Sequence, residues 1–325
     1  MSRLDIGIAT SEIVDITTGG HPIEAHVRIT TSETCRECVN RALGTDLSTW
    51  SDGLIDAGIS RVPPQDNDRE RRPSYFGTPS MHLQLLQEGR LLLATISKDP
   101  RIRAVANPVL FHPDLNMRNI FVDSDDHTKV ASFIDWQSAS LDPAFWVAAI
   151  RPDFAALPDQ PDDSNDAIIV CARAFDHYMG SYLPELARAQ SLDPRLVRPF
   201  QYPHRTWNDG VVAFRHDLLM TLKEWEVLGF KGTGPIAAPD SDEFAAHQRE
   251  YRYFVAAQKL RQQVADYLTI SSDGWVPEEA WNAVQLQHQQ LYSNVAQAIQ
   301  SAEDSDDDEP IKSETELKAI WPFDL

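Results

Sequence analysis

Cysteine is scarce in this chain: only Cys35, Cys38 and Cys171 occur in 325 residues. Three are too few for a disulfide framework, and a reducing, intracellular compartment is expected. Long apolar runs are also missing. The longest, 144–150, is seven residues, against the roughly twenty that a membrane-spanning helix needs. The N-terminus lacks the apolar stretch of a secretory signal, and Asp5, Glu12 and Asp15 come early for an acid-poor transit peptide. Positive charge is in deficit. Lys and Arg number 29 against 49 Asp and Glu, a net −20, which repels nucleic-acid backbones and anionic membranes. No internal repeat is visible.

What is present is a globular composition, 42% hydrophobic and 24% charged, long enough for one large domain or two. Residues 1–30 are weakly patterned, with short strands expected near 6–8 and 27–29 and a turn at 17–20. A helix is predicted over 32–43. The lone C-x-x-C of Cys35 and Cys38 has no second pair, whereas a zinc site needs four ligands; both read as ordinary residues on adjacent helix turns. Residues 50–79 carry Pro63-Pro64, a charged run at 66–72, Pro73 and Pro79, and read as an ordered surface loop or linker. Leu85, Leu86, Leu92, Leu93 and Ile96 sit at helical spacing and predict a helix over 81–96, capped by Thr78 or Ser80.

Short strands follow at 109–111, 120–122 and 130–134, the last two joined by a polar hairpin connection. After residue 160 helices are predicted over 166–180, 208–228, 241–268 and 277–301. Asp240 and Glu243 match a capping box. Residues 303–309 hold six acids in seven positions and read as a solvated linker. Trp321 and Phe323 suggest that the tail docks back onto the body.

The segment with chemical content is Phe111-His112-Pro113-Asp114-Leu115-Asn116-Met117-Arg118-Asn119-Ile120-Phe121-Val122, followed by Ile134-Asp135-Trp136-Gln137. A strand ends at Phe111, a loop presents His112, Asp114 and Asn119, and a hairpin returns Asp135 beside Asn119. Such a set suits phosphoryl transfer, which needs Mg²⁺ and positioning rather than covalent chemistry. Asn119 and Asp135 can supply the protein's oxygen ligands to Mg²⁺. Asp114, five residues before Asn119, would orient an acceptor hydroxyl and take its proton, and His112 would brace the loop by hydrogen bonds. Arg118 reads equally as a phosphate contact or a solvent-facing residue. Asp142, before Pro143, reads as structural. Asp153, Asp176, Asp209 and Asp217 could meet a cationic acceptor.

These residues resemble the aminoglycoside phosphotransferase and choline kinase family. The nearest resemblance is to the fungal altered inheritance of mitochondria kinase-like proteins, supported by Cys35-Arg36-Glu37-Cys38-Val39, His82-Leu83-Gln84-Leu85-Leu86, Ser271-Ser272-Asp273-Gly274-Trp275-Val276-Pro277 and Trp321-Pro322-Phe323. The resemblance implies a protein-kinase-like fold that uses ATP and Mg²⁺, with Asp114 as base, Asn119 and Asp135 as metal ligands, and an association with mitochondria. Two departures stand in the loop. Pro113 and Asn116 replace the Gly and second His of the family's usual His-Gly-Asp-Leu-His.

A kinase small lobe would bring a Gly-rich loop and a strand Lys. Neither precedes the loop, where Lys98 is the only lysine. The expectation is therefore α+β: a mostly helical large lobe with a small β-hairpin region at the catalytic loop and the missing material N-terminal. Residues 1–30 would be a remnant of the small lobe or the lobe linker, 31–302 the large lobe, 303–316 an acidic linker and 317–325 a docking tail. Three functions follow: an ATP-dependent phosphotransferase acting on an unknown hydroxyl acceptor; a non-catalytic kinase-like lobe with a protein partner on the face the small lobe leaves; or a metal-dependent hydrolase using His112, Asp114 and Asp135. No nucleic-acid partner and no membrane span are expected.

Overall fold

The computed structural model describes residues 4–8, 12–16, 46–66, 72–156, 166–271, 274–301 and 310–323. The expected strand near 27–29, the turn at 17–20, the helix over 32–43 with Cys35 and Cys38, and the acidic run 303–309 lie outside them. The chain divides into two compact units, Met1–Ala57 with Arg90–Phe200 and Gly58–Gly89 with Gln201–Leu325. The described part is mostly helical, with three two-stranded sheets. This is the α+β architecture expected of a kinase-like large lobe with a small hairpin region. No helix among the described residues is long and apolar enough to cross a membrane.

The first unit contains the antiparallel hairpin of β1 (Leu4–Ile8) and β2 (Glu12–Ile16), and most of helix α1 (Leu47–Arg61). Helix α1 corrects the reading of residues 50–79 as loop. Trp50, Leu54, Ile55 and Ala57 form its buried stripe, and Asp46 caps it by accepting the Thr49 N–H at 3.0 Å. The prolines that suggested a loop begin only at Pro63, beyond its last turn. Gly53 and Gly58 weaken the helical pattern in the sequence, yet Gly58 is required: a Cβ there would lie 2.2 Å from the Pro203 carbonyl oxygen.

Helix α2 (Pro79–Ile96) agrees with its predicted span, and Thr78 Oγ1 accepts the Met81 N–H at 3.4 Å. Its C-terminal part buries Leu92, Leu93 and Ile96 in the first unit, where Ile102 of the short helix α3 (Pro100–Arg103) is also buried. The strands β3 (Pro108–Phe111), β4 (Ile120–Val122), β5 (Val130–Phe133) and β6 (Ser140–Pro143) form two antiparallel pairs, β3 with β6 and β4 with β5. The short helices α4 (Ala144–Val147), α6 (Pro184–Gln190) and α7 (Pro194–Val197), with α5 (Asp166–Tyr182), complete this unit. Trp50 is its aromatic centre, with ring centroids of Trp146, Phe145 and Phe200 at 5.3, 5.8 and 5.9 Å.

The second unit is helical. A continuous helix was expected over 208–228. Instead α8 (Thr206–Asp209) and α9 (Val211–Lys223) are separated at Gly210, whose φ of 90° no helix accommodates. A side chain at Gly210 would also bring its Cβ within 3.0 Å of the Phe76 Cα. Helix α10 (Ser241–Leu268) starts at the expected capping box, Asp240 accepting the N–H groups of Asp242 and Glu243 while Glu243 returns to the Asp240 N–H. Helix α11 (Trp281–Ser301) follows a 3-10 turn at Glu278–Ala280. A final helix, α12 (Glu314–Ile320), begins inside the stretch read as acidic linker. It carries the tail back: Leu317 is fully buried, Tyr253 donates to the Glu316 carbonyl at 2.6 Å, and Trp321 Nε1 donates to His288 Nε2 at 2.8 Å.

Candidate functional site

Two hairpin registers bring the loop residues together. Pairing of Val109 with Asp142 and Phe111 with Ser140 aligns β3 with β6, so the chain leaves β3 directly into His112. Pairing of Ile120 with Phe133 closes β4 on β5. The Ile134 N–H then donates to the Asn119 carbonyl at 3.0 Å, and Asp135 follows at once. Between the strands, Asp123 Oδ1 accepts the N–H groups of Asp125 and Asp126 at 2.9 and 3.0 Å, which explains why that polar connection turns where it does.

His112 is buried. Its Nδ1 accepts the Asp114 N–H at 3.2 Å, which leaves the proton on Nε2 to be donated to the Ile134 carbonyl at 2.9 Å. The ring lies 4.7 Å from that of Trp136, and Trp136 Nε1 donates to the Phe133 carbonyl at 3.1 Å. His112 thus ties the start of the loop to the residue before Asp135.

Asn119 is also buried. Both hydrogens of its amide go to Asp114, to the main-chain carbonyl at 2.8 Å and to Oδ2 at 3.0 Å. Its Oδ1 therefore remains available, with no hydrogen bond among the described residues. Asp135 is exposed, and its carboxylate likewise has no hydrogen-bond partner among them. Asp135 has a φ of 60°, a left-handed conformation that costs an L-residue roughly 1–2 kcal/mol. The preceding peptide holds it there, because Ile134 is bonded through its N–H to Asn119 and through its carbonyl to His112. Strain so maintained is a pointer to function.

Asp114 accepts from Arg118 Nη2 at 2.9 Å on Oδ2 and 3.1 Å on Oδ1, and from Asn116 Nδ2. The Arg118 guanidinium, with Asn119, holds the Asp114 carboxyl below the ordinary carboxylate range. Arg118 itself is raised, first by Asp114 and then by Asp153 and Asp135. It is largely exposed, at 72% of its side chain, and stands within the field of three carboxylates. Sequence reasoning left Arg118 undecided; its i, i+4 spacing from Asp114 was the available signal. Asp153, although exposed, accepts the Met117 N–H at 3.1 Å and so anchors the loop.

Asp142 is structural, as read. It is buried and accepts from Trp50 Nε1 at 3.0 Å and from Ser140 Oγ. The Trp50 partner, ninety-two positions away, carried no signal in the sequence. Of the remaining acids considered for a cationic acceptor, Asp176 pairs with Arg151, Asp209 pairs with Arg205, and Asp217 is buried.

The donors Asn119 Oδ1 and Asp135 carboxylate suit a hard cation that takes one or two protein oxygens and completes its shell with phosphate and water. Among the described residues no group of three or more His, Cys, Asp or Glu is placed to hold a metal by itself. The hydrolase alternative, which needs such a cluster, gains no support from this arrangement.

Residues 57–149 match the family model described as the phosphotransferase enzyme family, a span that includes His112, Asp114, Asn119 and Asp135. Comparison with curated proteins gives no match, and comparison with solved structures gives none.

Proposed function

We propose that this chain binds Mg·ATP and transfers its terminal phosphoryl group to a hydroxyl acceptor. The observation that carries the reading is the loop itself: Asn119 gives both amide hydrogens to Asp114 and keeps Oδ1 free, next to the unpartnered carboxylate of Asp135. Asn119 and Asp135 would hold Mg²⁺, which when bound neutralises charge on the phosphates. Asp114 would accept a hydrogen bond from the acceptor hydroxyl and receive its proton at a carboxylate oxygen. Its lowered pKa makes it a weak base, which suits a loose transition state in which the proton leaves late and orientation matters most. Arg118, exposed and already bonded to Asp114, supplies positive charge beside the transferred group. His112 acts through position alone.

The test is consumption of ATP with a panel of small alcohols, amino alcohols and sugars. Acceptor-dependent ADP formation that Asp114→Asn lowers about 10²-fold or more would support the reading. Its absence across the panel, with ATP bound, would favour a second reading, a non-catalytic kinase-like lobe. One observation speaks for that alternative. The β4–β5 hairpin and the residue after it leave Phe121, Val122, Val130, Phe133 and Ile134 exposed, apolar side chains of the kind that partners cover.

The finer affiliation, with fungal altered inheritance of mitochondria kinase-like proteins, belongs to the same proposal. Its supports are the sequence motifs at residues 82–86 and 321–323. Co-fractionation of the tagged protein with mitochondria is expected; a distribution that avoids them would contradict it.

A further inference from the structure

Asp114 is the base of the proposed reaction, yet its carboxylate has no position left for an acceptor hydroxyl. A carboxylate offers about four lone-pair sites, two on each oxygen. Oδ1 accepts from Asn116 Nδ2 and from Arg118 Nη2, the latter at 3.1 Å. Oδ2 accepts from Arg118 Nη2 at 2.9 Å and from Asn119 Nδ2 at 3.0 Å. Each oxygen thus holds two donors from the chain itself. The Asp114 side chain is 38% exposed, so hydrogen bonding closes it and burial does not.

For a hydroxyl to bind Asp114, one of the three donor side chains must leave. Asn119 is buried, and the other hydrogen of its amide is held by the Asp114 main-chain carbonyl at 2.8 Å. Asn116 is half-buried and fixed through its backbone. Its N–H donates to the Asp114 carbonyl at 2.9 Å, and its own carbonyl accepts the Asn119 N–H at 2.9 Å. Arg118 differs from both. Its side chain is exposed, a single nitrogen straddles the two carboxylate oxygens, and no other hydrogen bond or ion pair holds it among the described residues. An exposed ion pair of this kind is a weak contact. The charges of Asp153 and Asp135 also act on Arg118, so it stands near the carboxylate to which the phosphotransfer reading assigns Mg²⁺. A phosphate brought there carries more charge than Asp114 and suits the planar guanidinium equally well.

We propose that Arg118 is a latch on Asp114: it closes the carboxylate in the free chain and passes to the terminal phosphate when nucleotide binds, which opens Asp114 to the acceptor. This rests on the phosphotransfer reading and adds the control of the same site, nucleotide first and acceptor second.

The experiment is calorimetric titration of the full chain with Mg·AMP-PNP, a probe that needs no acceptor. In the wild type the phosphate competes with Asp114 for the guanidinium. Asp114→Asn should therefore bind the probe about two- to fivefold more tightly. Arg118→Ala should bind it about tenfold more weakly, as loss of a charge-assisted contact implies. The double variant separates a latch from a simple effect of charge. With Arg118 gone, removing the Asp114 charge should no longer tighten binding, and the double variant should match Arg118→Ala. Asp114→Ala provides the same comparison if Asp114→Asn does not fold. Absence of tightening in the Asp114 variant, or equal tightening with and without Arg118, would overturn the latch while leaving nucleotide binding in place. No binding by the wild type would contradict the phosphotransfer reading itself, and the latch with it.

Discussion

The Nε2 of His112 lies 2.9 Å from the carbonyl oxygen of Ile134, the residue immediately before Asp135. Because Nδ1 of the same ring accepts the Asp114 N–H, one imidazole holds the loop and the metal-ligand candidate in register. His112→Phe keeps an aromatic ring against Trp136 but removes both hydrogen bonds. We expect Mg·ATP affinity to fall about 10- to 100-fold, as for other residues that orient ligands without touching the metal. Melting temperature should fall as well, since the Ile134 carbonyl loses a partner. Affinity unchanged by this variant would show that Asp135 needs no such support.

Arg118→Ala tests the ion pair on Asp114. The guanidinium holds the Asp114 pKa below its ordinary value, so the pair persists above the usual carboxylate range and is lost as pH falls through the lowered value. In the variant the Asp114 carboxyl should titrate closer to the ordinary value near 3.8, measured from its carboxyl carbon by NMR. An unmoved titration would assign the depression to Asn119 instead.

Trp50→Phe tests the anchor beneath β6. It retains an aromatic ring and removes the donor that, among the described residues, reaches Asp142 Oδ1, at 3.0 Å. Leaving that buried acceptor unpaired should cost about 1–3 kcal/mol in urea denaturation. A loss below about 0.5 kcal/mol would mean that Ser140 satisfies Asp142 alone.

The candidate site was legible in the sequence because it is local. His112, Asp114 and Asn119 fall within eight consecutive residues, and the register of a short hairpin delivers Asp135. The long helices α2, α10 and α11 were legible from periodicity and caps. Helix α1 was not, because Gly53, Gly58 and the following prolines disguise it; what stabilises it is burial of Trp50, Leu54 and Ile55 in a core assembled from distant segments. The break at Gly210 was hidden for the same reason, since it answers to the backbone at Phe76. The Trp50–Asp142 bond joins positions that no local pattern links.

Two buried elements of the second unit give stability predictions. His82 is fully buried between Phe76 and Trp207, at ring-centroid distances of 5.3 and 4.8 Å, and burial pushes it down to about 4. Its folded pKa lies below the unfolded value near 6.5, so the unfolded chain binds more protons in between. Stability contributed by neutral His82 is full above about 6.5 and declines as pH falls towards about 4. His82→Phe should reduce the pH slope of stability in that window by about one proton; an unchanged slope would place His82 outside this effect.

Leu317, fully buried on α12, tests the docking of the tail. Leu317→Ala should destabilise the protein by about 2–5 kcal/mol. A loss under 0.5 kcal/mol, roughly the scale of an exposed substitution, would mean that the tail adds little to the second unit.

The central claim is that Asn119 and Asp135 form the protein's share of a Mg·ATP site, and calorimetric titration of Mg·ATP into wild-type and Asp135→Ala protein tests it most directly. The account predicts saturable, Mg²⁺-dependent binding by the wild type that Asp135→Ala abolishes. Binding that is absent at millimolar nucleotide, or that is equal in the two proteins, would contradict it.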